Sequence, residues 1–301
     1  MQRAIITGAT GAIGTALINK LIEEKKEVLV FCRKDSKRAS QIPDHPLVTI
    51  KYCALDELEK VENDTGKTYD TFYHFAWDGT FGADRNDMHR QNLNVKYALD
   101  AVAAAKRFGC KTFIGAGSQA EYGRSDDKLS AKTAAFPENG YGIAKLCAGQ
   151  LTRVYAEQLG IKHIWVRILS VYGPRDGANT MVSSSIQKFK SGQSAQFTKG
   201  EQLWDYLYSG DAAKAFALLG DKGKDGKVYV LGSGKERPLK DYIEDIAEVV
   251  NPQAEIQFGA VPYSDKQVMR LCADISELTA DTGWKPETDF KQGIKNILKT
   301  L

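Results

Sequence analysis

Residues 3–14 read RAIITGATGAIG: a β-branched apolar run meets glycine at three-residue intervals and then passes into an amphipathic pattern over 12–24. That order specifies a strand, a tight turn and a helix in immediate succession. Glycine at positions 8, 11 and 14 lets the backbone turn sharply and come close to a ligand, while the head of the following helix offers free N–H groups and the positive end of its dipole. Such a junction is a cradle for a pyrophosphate. The spacing G-x-x-G-x-x-G alone is weak evidence, and its place directly after the first strand supplies the confirming context. Gly8, Ala9, Thr10, Gly11, Ala12, Ile13 and Gly14 are therefore candidate dinucleotide contacts.

The same strand-then-helix alternation continues through the first half of the chain. Short runs at 27–31, 47–52, 71–76, 111–116 and 163–169 are rich in β-branched and aromatic residues and are expected to be buried on both faces, as parallel strands are. Helical stretches separate them, among them 87–107, whose Ala-rich YALDAVAAAKRFG closes on a glycine stop. The fold class expected is α/β, a Rossmann doubly wound parallel sheet with a smaller C-terminal substrate-binding lobe. The boundaries expected are 1–169 for the dinucleotide-binding domain and 170–301 mainly for the lobe, with 209–235 returning to the first. A polar loop at 124–140 has the length of an active-site loop or lid.

Bulk properties narrow the partners. With 41 basic and 38 acidic residues dispersed along 301, no basic face marks a nucleic-acid footprint, although a few cations suffice for a small anion. The five cysteines include no C-x-x-C pair, and the four histidines lack metal spacing, so neither a disulfide framework nor a metal site is expected. His74, at a strand end, reads as a core histidine. No window resembles a membrane span and MQRAIITGATG lacks an apolar leader core, which leads to the expectation of a cytoplasmic protein.

At the end of the second strand, where NAD-binding folds place a carboxylate for the ribose hydroxyl, the chain has Cys32 followed by Arg33 and Lys34. Two cations and no acid suit the 2′-phosphate of NADP, so NADP is preferred over NAD. Asp35 reaching the ribose, and Arg33 stacking on adenine, remain alternatives.

Further on, NGYGIAKLCAGQL places Tyr141 and Lys145 four residues apart on one helical face. A free tyrosine titrates near pH 10 and is a poor base at neutrality, so a neighbouring ammonium and a positive nicotinamide ring are expected to draw its pKa down. About one Y-x-x-x-K occurs by chance in such a composition, and its force lies in following the glycine motif, a strand and a polar loop.

Taken together, TGATGAIG, DTFYHFAW (70–77), Asn94 in NLNVKYAL, GAGSQAEYG, YGIAK, RILSVYGPR (167–175), DYLYSGDAAKA (205–215) and MRLCADISELTADTGWKP (269–286) resemble the extended short-chain dehydrogenase/reductase family, the NAD(P)-dependent nucleotide-sugar epimerases, dehydratases and reductases. The resemblance covers nearly the whole chain. It implies that Ser118 hydrogen-bonds the reacting sugar oxygen, Tyr141 is the acid/base and Lys145 its electrostatic partner. It places Phe75, Ala76 and Trp77 where the end of the fourth strand passes the cofactor and Leu169 and Val171 beside the nicotinamide, and adds Leu55, Asn94 and Ala116 to the cofactor contacts. Gln119, Asn179 and Arg270 join Trp77 and Ser118 in the substrate set, with Arg270 on the nucleotide diphosphate. The small residues of FIGAGSQAEYG are expected to leave room for nicotinamide and sugar. Homodimers in this family form through the helices corresponding to 87–107 and 141–159.

Departures from the pattern bear on the reaction. Gln119 and Ala120 stand where 4,6-dehydratases carry an Asp-Glu pair, and neither transfers protons at neutral pH. Glu121, one place on, reads as structural or loop-anchoring. Trp204 replaces the arginine of the family's R-D-F element, leaving Arg270, helped by Arg175 or Lys199, for the diphosphate. Three readings follow: an NADP-dependent 4-keto nucleotide-sugar reductase, an NAD-dependent 4-epimerase, and a non-catalytic cofactor-sensing protein, the last disfavoured by the complete Ser118, Tyr141, Lys145 set.

Overall fold

The computed structural model describes residues 1–301. Six parallel strands form first: β1 (Arg3–Thr7), β2 (Glu27–Cys32), β3 (Val48–Tyr52), β4 (Thr71–His74), β5 (Thr112–Ser118) and β6 (Lys162–Ile168). The chain then makes four short strands, β7 (Ser170–Tyr172), β8 (Ala195–Gln196), β9 (Leu203–Trp204) and β10 (Tyr206–Tyr208), before β11 (Lys227–Leu231) pairs in parallel with β6. The resulting seven-stranded sheet has the order β11-β6-β5-β4-β1-β2-β3. Winding reverses between β1 and β4, and a ligand crevice opens beyond the carboxyl ends of strands at such a switch point.

Alternation along each strand sorts side chains to two helical layers. Ile6, Tyr73 and Ile114 join Leu17, Leu21 and Phe216 of α1 (Ala12–Glu23) and α5 (Ser209–Lys222). Their neighbours Ile5, Phe72 and Phe113 face Ala101, Val102 and Ala105 of α2 (Met88–Arg107), against which α3 (Gly140–Gln158) packs. The run at 47–52 departs from the expectation of burial on both faces: Ile50 is 39% and Tyr52 60% exposed. The cause is position, since β3 is the sheet's outer strand.

The lobe beyond residue 170 has its own core, in which Val182, Ile186 and Phe189 of α4 (Met181–Lys190) meet Tyr242, Ile243 and Ile246 of α6 (Leu239–Val250), with Tyr172, Phe290 and Ile294 between them. The strands β9 and β10 part at Asp205, a fully buried carboxylate that accepts N–H bonds from Ser233 (2.6 Å), Gly234 (2.9 Å) and Ala273 (3.0 Å). It thereby ties the chain after β11 and the segment around 273 to one point.

The exit of β5 is fastened in the same way. Glu121 is fully buried, and its Oε1 accepts from the Ser118 N–H (2.8 Å) and the Trp165 indole N–H (3.0 Å). Its Oε2 accepts from Arg167 Nε at 2.7 Å, so Glu121 is an anchor. A Cβ on Gly115 or Gly117 would overlap the Trp165 indole, and one on Gly149 of α3 would come within 2.8 Å of it. The space expected for ligand beside Gly115 is therefore filled by Trp165. Removing one partner of a buried ion pair strands the other charge, so Glu121→Ala is expected to cost about 3–5 kcal/mol in urea unfolding. A loss under about 1 kcal/mol would refute the anchoring role.

Candidate active site

Ser118 ends β5 and begins a single 3₁₀ turn, Gln119–Glu121. Its hydroxyl oxygen accepts from the Ala120 N–H (3.1 Å) while its own N–H is held by Glu121. This reciprocal capping fixes the residue at the lip of a cleft of about 300 Å³. Asn139 caps α3 by accepting from the Gly142 N–H (2.9 Å), and the first turns of that helix carry Tyr141 and Lys145 into the same cleft. Gly8, Gly11, Ala12, Ile13 and Gly14 line it from the α1 side, with Phe75, Trp77, Ala116, Leu169 and Val171 completing the walls.

The glycines divide by cause. Gly8 has φ +72°, and a Cβ there would meet the Ala76 nitrogen at 2.7 Å, so the fold itself excludes a side chain. At Gly11 the nearest atom to such a Cβ is the Gly8 carbonyl oxygen at 3.7 Å. Packing does not require glycine there, whereas a phosphate approaching the backbone does. No side chain caps α1, which leaves its first N–H groups available to an anion. The residues present therefore fit a dinucleotide.

Electrostatics in the cleft are set by burial. The Lys145 ammonium donates to the Ala116 carbonyl (2.7 Å) and lies 3.7 Å from the Trp77 ring centroid. Loss of solvent pushes its pKa down to about 7, with the Glu121 charge acting in the opposite sense. Tyr141 departs from the expected lowering: desolvation raises its pKa, with hydrogen bonding to Ser118 and the Arg85 charge opposing the rise. The Arg85 guanidinium is the nearer cation, 4.5 Å from the Tyr141 ring centroid against 5.8 Å for Lys145. Trp77 meets the same ring edge-on at 6.2 Å, and its indole N–H donates to Gln91 Oε1 (2.9 Å).

Other residues singled out from sequence lie elsewhere. Ala76 donates its N–H to the Thr7 hydroxyl (3.2 Å), beside the Gly-rich turn. Asn94 is buried, and its amide accepts from the Asp78 N–H (2.8 Å) and donates to the Asp78 (2.9 Å) and Arg90 (3.0 Å) carbonyls, which anchors the loop after β4. Leu55 packs beneath β2 against the α2-side core, and Ala9 is buried under the turn. Arg33, Lys34 and Asn179 are exposed. Gln119 borders a neighbouring cavity, and Arg270 is held bidentately by Glu236 at 2.8–2.9 Å. His74 is buried, with Nδ1 3.0 Å from the Thr7 hydroxyl.

Sequence reasoning missed Arg38, Thr80, Arg85, Ile168 and Asp176. Arg38 Nη2 donates to the carbonyls of Thr10 (2.8 Å) and Arg175 (2.9 Å), bridging the Gly-rich turn to the lobe. Its membership in the cation-rich RKDSKR was the available signal. Thr80, Ile168 and Asp176 line the cleft without any motif to mark them. The protein has no grouping of three or more His, Cys, Asp or Glu able to hold a metal, and no helix long and apolar enough to cross a membrane.

Residues 4–232 match the NAD dependent epimerase/dehydratase family. The chain belongs to that family. It is thus an enzyme with the extended short-chain dehydrogenase/reductase fold and a nicotinamide dinucleotide as its cofactor class. CDP-abequose synthase of Salmonella typhimurium is 26% identical over 310 residues, covering 100% of this chain and 98% of the relative. The dTDP-4-dehydro-6-deoxyglucose reductase of Escherichia coli is 26% identical over 309 residues, covering 99% and 96%. Among solved structures, UDP-glucuronic acid 4-epimerase of Bacillus cereus in complex with UDP-glucuronic acid and NAD superposes with a TM-score of 0.85 at 20% identity, covering 99% and 100%.

The depressed Lys145 pKa carries a stability consequence. Protonation in the fold is penalised below the ordinary 10.5, and the penalty is complete below about 7. Replacing the buried ammonium, as in Lys145→Met, is expected to raise the thermal midpoint most below pH 7, with the gain shrinking as pH approaches 10.5. Thermal unfolding of both proteins across that range checks this; a destabilised variant at every pH would contradict it.

Proposed function

We propose that this protein is an NADP-dependent oxidoreductase that reduces a 4-keto nucleotide-diphosphate sugar at C4. The observation that carries the reading is the convergence of Ser118, Tyr141 and Lys145 on the cleft bounded by the Gly-rich turn, with no proton-transferring side chain at 119 and 120. Gln119 is an amide, and Ala120 is buried with its backbone carbonyl packed at Gly142, so the carboxylates that 4,6-dehydration requires are lacking there.

Gly8, Gly11 and the head of α1 would hold the pyrophosphate; at the end of β2 Cys32 is buried and exposed Arg33 and Lys34 follow it, with the Asp35 carboxylate 4.0 Å from Arg33 Nε and with Arg38 at the Gly-rich turn. Cations outnumber the single carboxylate there and can make charge-assisted bonds to a 2′-phosphate, which supports NADP over NAD. When bound, the cofactor supplies or accepts a hydride. Ser118 donates its hydroxyl hydrogen to the substrate's C4 oxygen, polarising the carbonyl, and Tyr141 delivers a proton as that oxygen gains charge. Lys145, tethered to Ala116, would orient the nicotinamide ribose from the α3 side. A neutral phenol at working pH, favoured by burial, is the protonation state that a reductase needs at the start of its turnover.

The test is NADPH oxidation with 4-keto nucleotide sugars. Net consumption is expected, faster than with NADH, and Tyr141→Phe is expected to lower turnover at least about a hundredfold. Tightly retained NAD with interconversion of UDP-glucose and UDP-galactose and no net NADPH use would overturn reduction in favour of 4-epimerisation.

The reading includes a homodimer formed through α2 and α3. Ile143, Leu151 and Val154 form an exposed apolar stripe on α3, with exposed Leu93 on the adjoining α2. Leu151→Glu with Val154→Lys is expected to shift the particle from a dimer to the 33.2 kDa monomer in light scattering. A wild-type protein that is already monomeric would contradict the assignment.

A further inference from the structure

A buried charge needs a partner, and Lys145 has no acidic one. The residue is 4% exposed, and its ammonium donates to the Ala116 carbonyl at 2.7 Å. The carboxylate whose charge reaches it, Glu121 at the exit of β5, is already spent. One Glu121 oxygen accepts from the Ser118 N–H and the Trp165 indole, and the other from Arg167. His74, at the end of β4, is neutral, because burial and the Lys145 charge push its pKa down to about 3. Tyr141, one turn back on α3, has its ring centroid 5.8 Å away, near the outer limit of cation–π attraction, and Arg85 faces that same ring at 4.5 Å.

What meets the ammonium at close range is an indole. Lys145 Nζ lies 3.7 Å from the Trp77 ring centroid, and indole is the best aromatic face for a cation. Such a face is electron-rich yet carries no net charge, so it enters the interior without the desolvation cost of a carboxylate. The ring is aimed by its edge: the indole N–H donates to Gln91 Oε1 at 2.9 Å. Gln91 is 2% exposed, and its amide nitrogen donates to the carbonyls of Gly79 (2.8 Å) and Asp84 (2.9 Å), so three bonds fix the amide that holds the indole. Val95, Ala98, Ala144 and Ala148 form the apolar cluster on which Trp77 packs.

We propose that Trp77 is a positioning residue whose indole face, aimed by Gln91, serves as the uncharged counterpart of the Lys145 ammonium and holds it protonated in the cleft. This role is separate from any contact of Trp77 with cofactor or sugar. Its consequence for turnover rests on the reductase reading, whereas the pairing with Lys145 does not. Burial leaves the Lys145 pKa at about 7, close to the point where the proton is lost. A desolvated cation–π contact, on the order of tenfold in an equilibrium constant, is large enough to decide the charge there.

A double-mutant cycle on the full chain without substrate tests the pairing, with wild type, Trp77→Leu, Lys145→Met and the double variant compared in urea unfolding. Near pH 5.5, where Lys145 is charged, the two changes are expected to couple by at least about fivefold in the unfolding constant. Near pH 9.5, roughly two units or more above the pKa of the folded ammonium, the coupling is expected to vanish. Additivity at the lower pH, or equal coupling at both, overturns the proposal, because packing alone does not follow the charge. Trp77→Phe keeps a ring face; its own cycle with Lys145→Met is expected to couple less, with the same pH dependence, and decides the matter if the leucine variant does not fold. In turnover of NADPH with 4-keto nucleotide sugars, Trp77→Leu is expected to move the alkaline limb of kcat downward by about one pH unit, since the ammonium then loses its proton earlier, and Trp77→Phe by less. An unmoved limb beside intact coupling overturns the part of Trp77 in the reaction. Wild type that consumes no NADPH overturns the reductase reading, while the unfolding cycle still decides the pairing.

Discussion

The buried Glu121 carboxylate organises the catalytic end of the sheet. It receives N–H bonds from Ser118, Trp165 and Arg167, which belong to the exit of β5 and to its neighbour β6. An unpaired carboxylate at full burial would be severely penalised, so the three donors are obligatory companions. In meeting that requirement they set the Ser118 backbone, the indole that covers Gly115 and Gly117, and the guanidinium stacked 4.5 Å from the Tyr122 ring. Ser118 is thus positioned by a charge that lies behind the reacting surface.

Cations around Tyr141 show a division of labour that a Y-x-x-x-K spacing does not convey. Lys145 is buried, tied to Ala116 and covered by Trp77, and desolvation disfavours its protonated form, pushing its pKa down to about 7. Arg85, from the loop after β4, places its guanidinium 4.5 Å from the Tyr141 ring centroid. The phenol consequently sits between burial, which favours its neutral form, and Arg85 with Ser118, which favour ionisation. Poise between opposing influences is what an acid/base group needs if it is to give and regain a proton in one cycle.

Much of this was legible in the amino-acid order. The strand alternation, the Gly-rich turn, the return of 227–231 to the sheet and the pairing of Tyr141 with Lys145 all follow from local periodicity and glycine placement, which are short-range properties. What escaped was decided by neighbours distant in sequence. Glycine at 115 and 117 signals a close approach but does not say what approaches, and the occupant is Trp165, across from Gly115 in the parallel register. Arg270 and Arg85 are indistinguishable as residues; one is neutralised by Glu236 and the other is not.

By itself, then, the sequence determined a doubly wound fold and the placement of Tyr141 and Lys145 four residues apart on one helix, because each depends on residues a few positions apart along one element, whereas Ser118 entered through the family resemblance. Tertiary structure alone decided which charges are free, which are spent and how each is tuned. Glu121 meets Arg167 across 46 residues, Arg38 meets Arg175 across 137, and Arg270 meets Asp126 across 144. Desolvation and ion pairing arise only when such segments close on one another, and no local pattern encodes them.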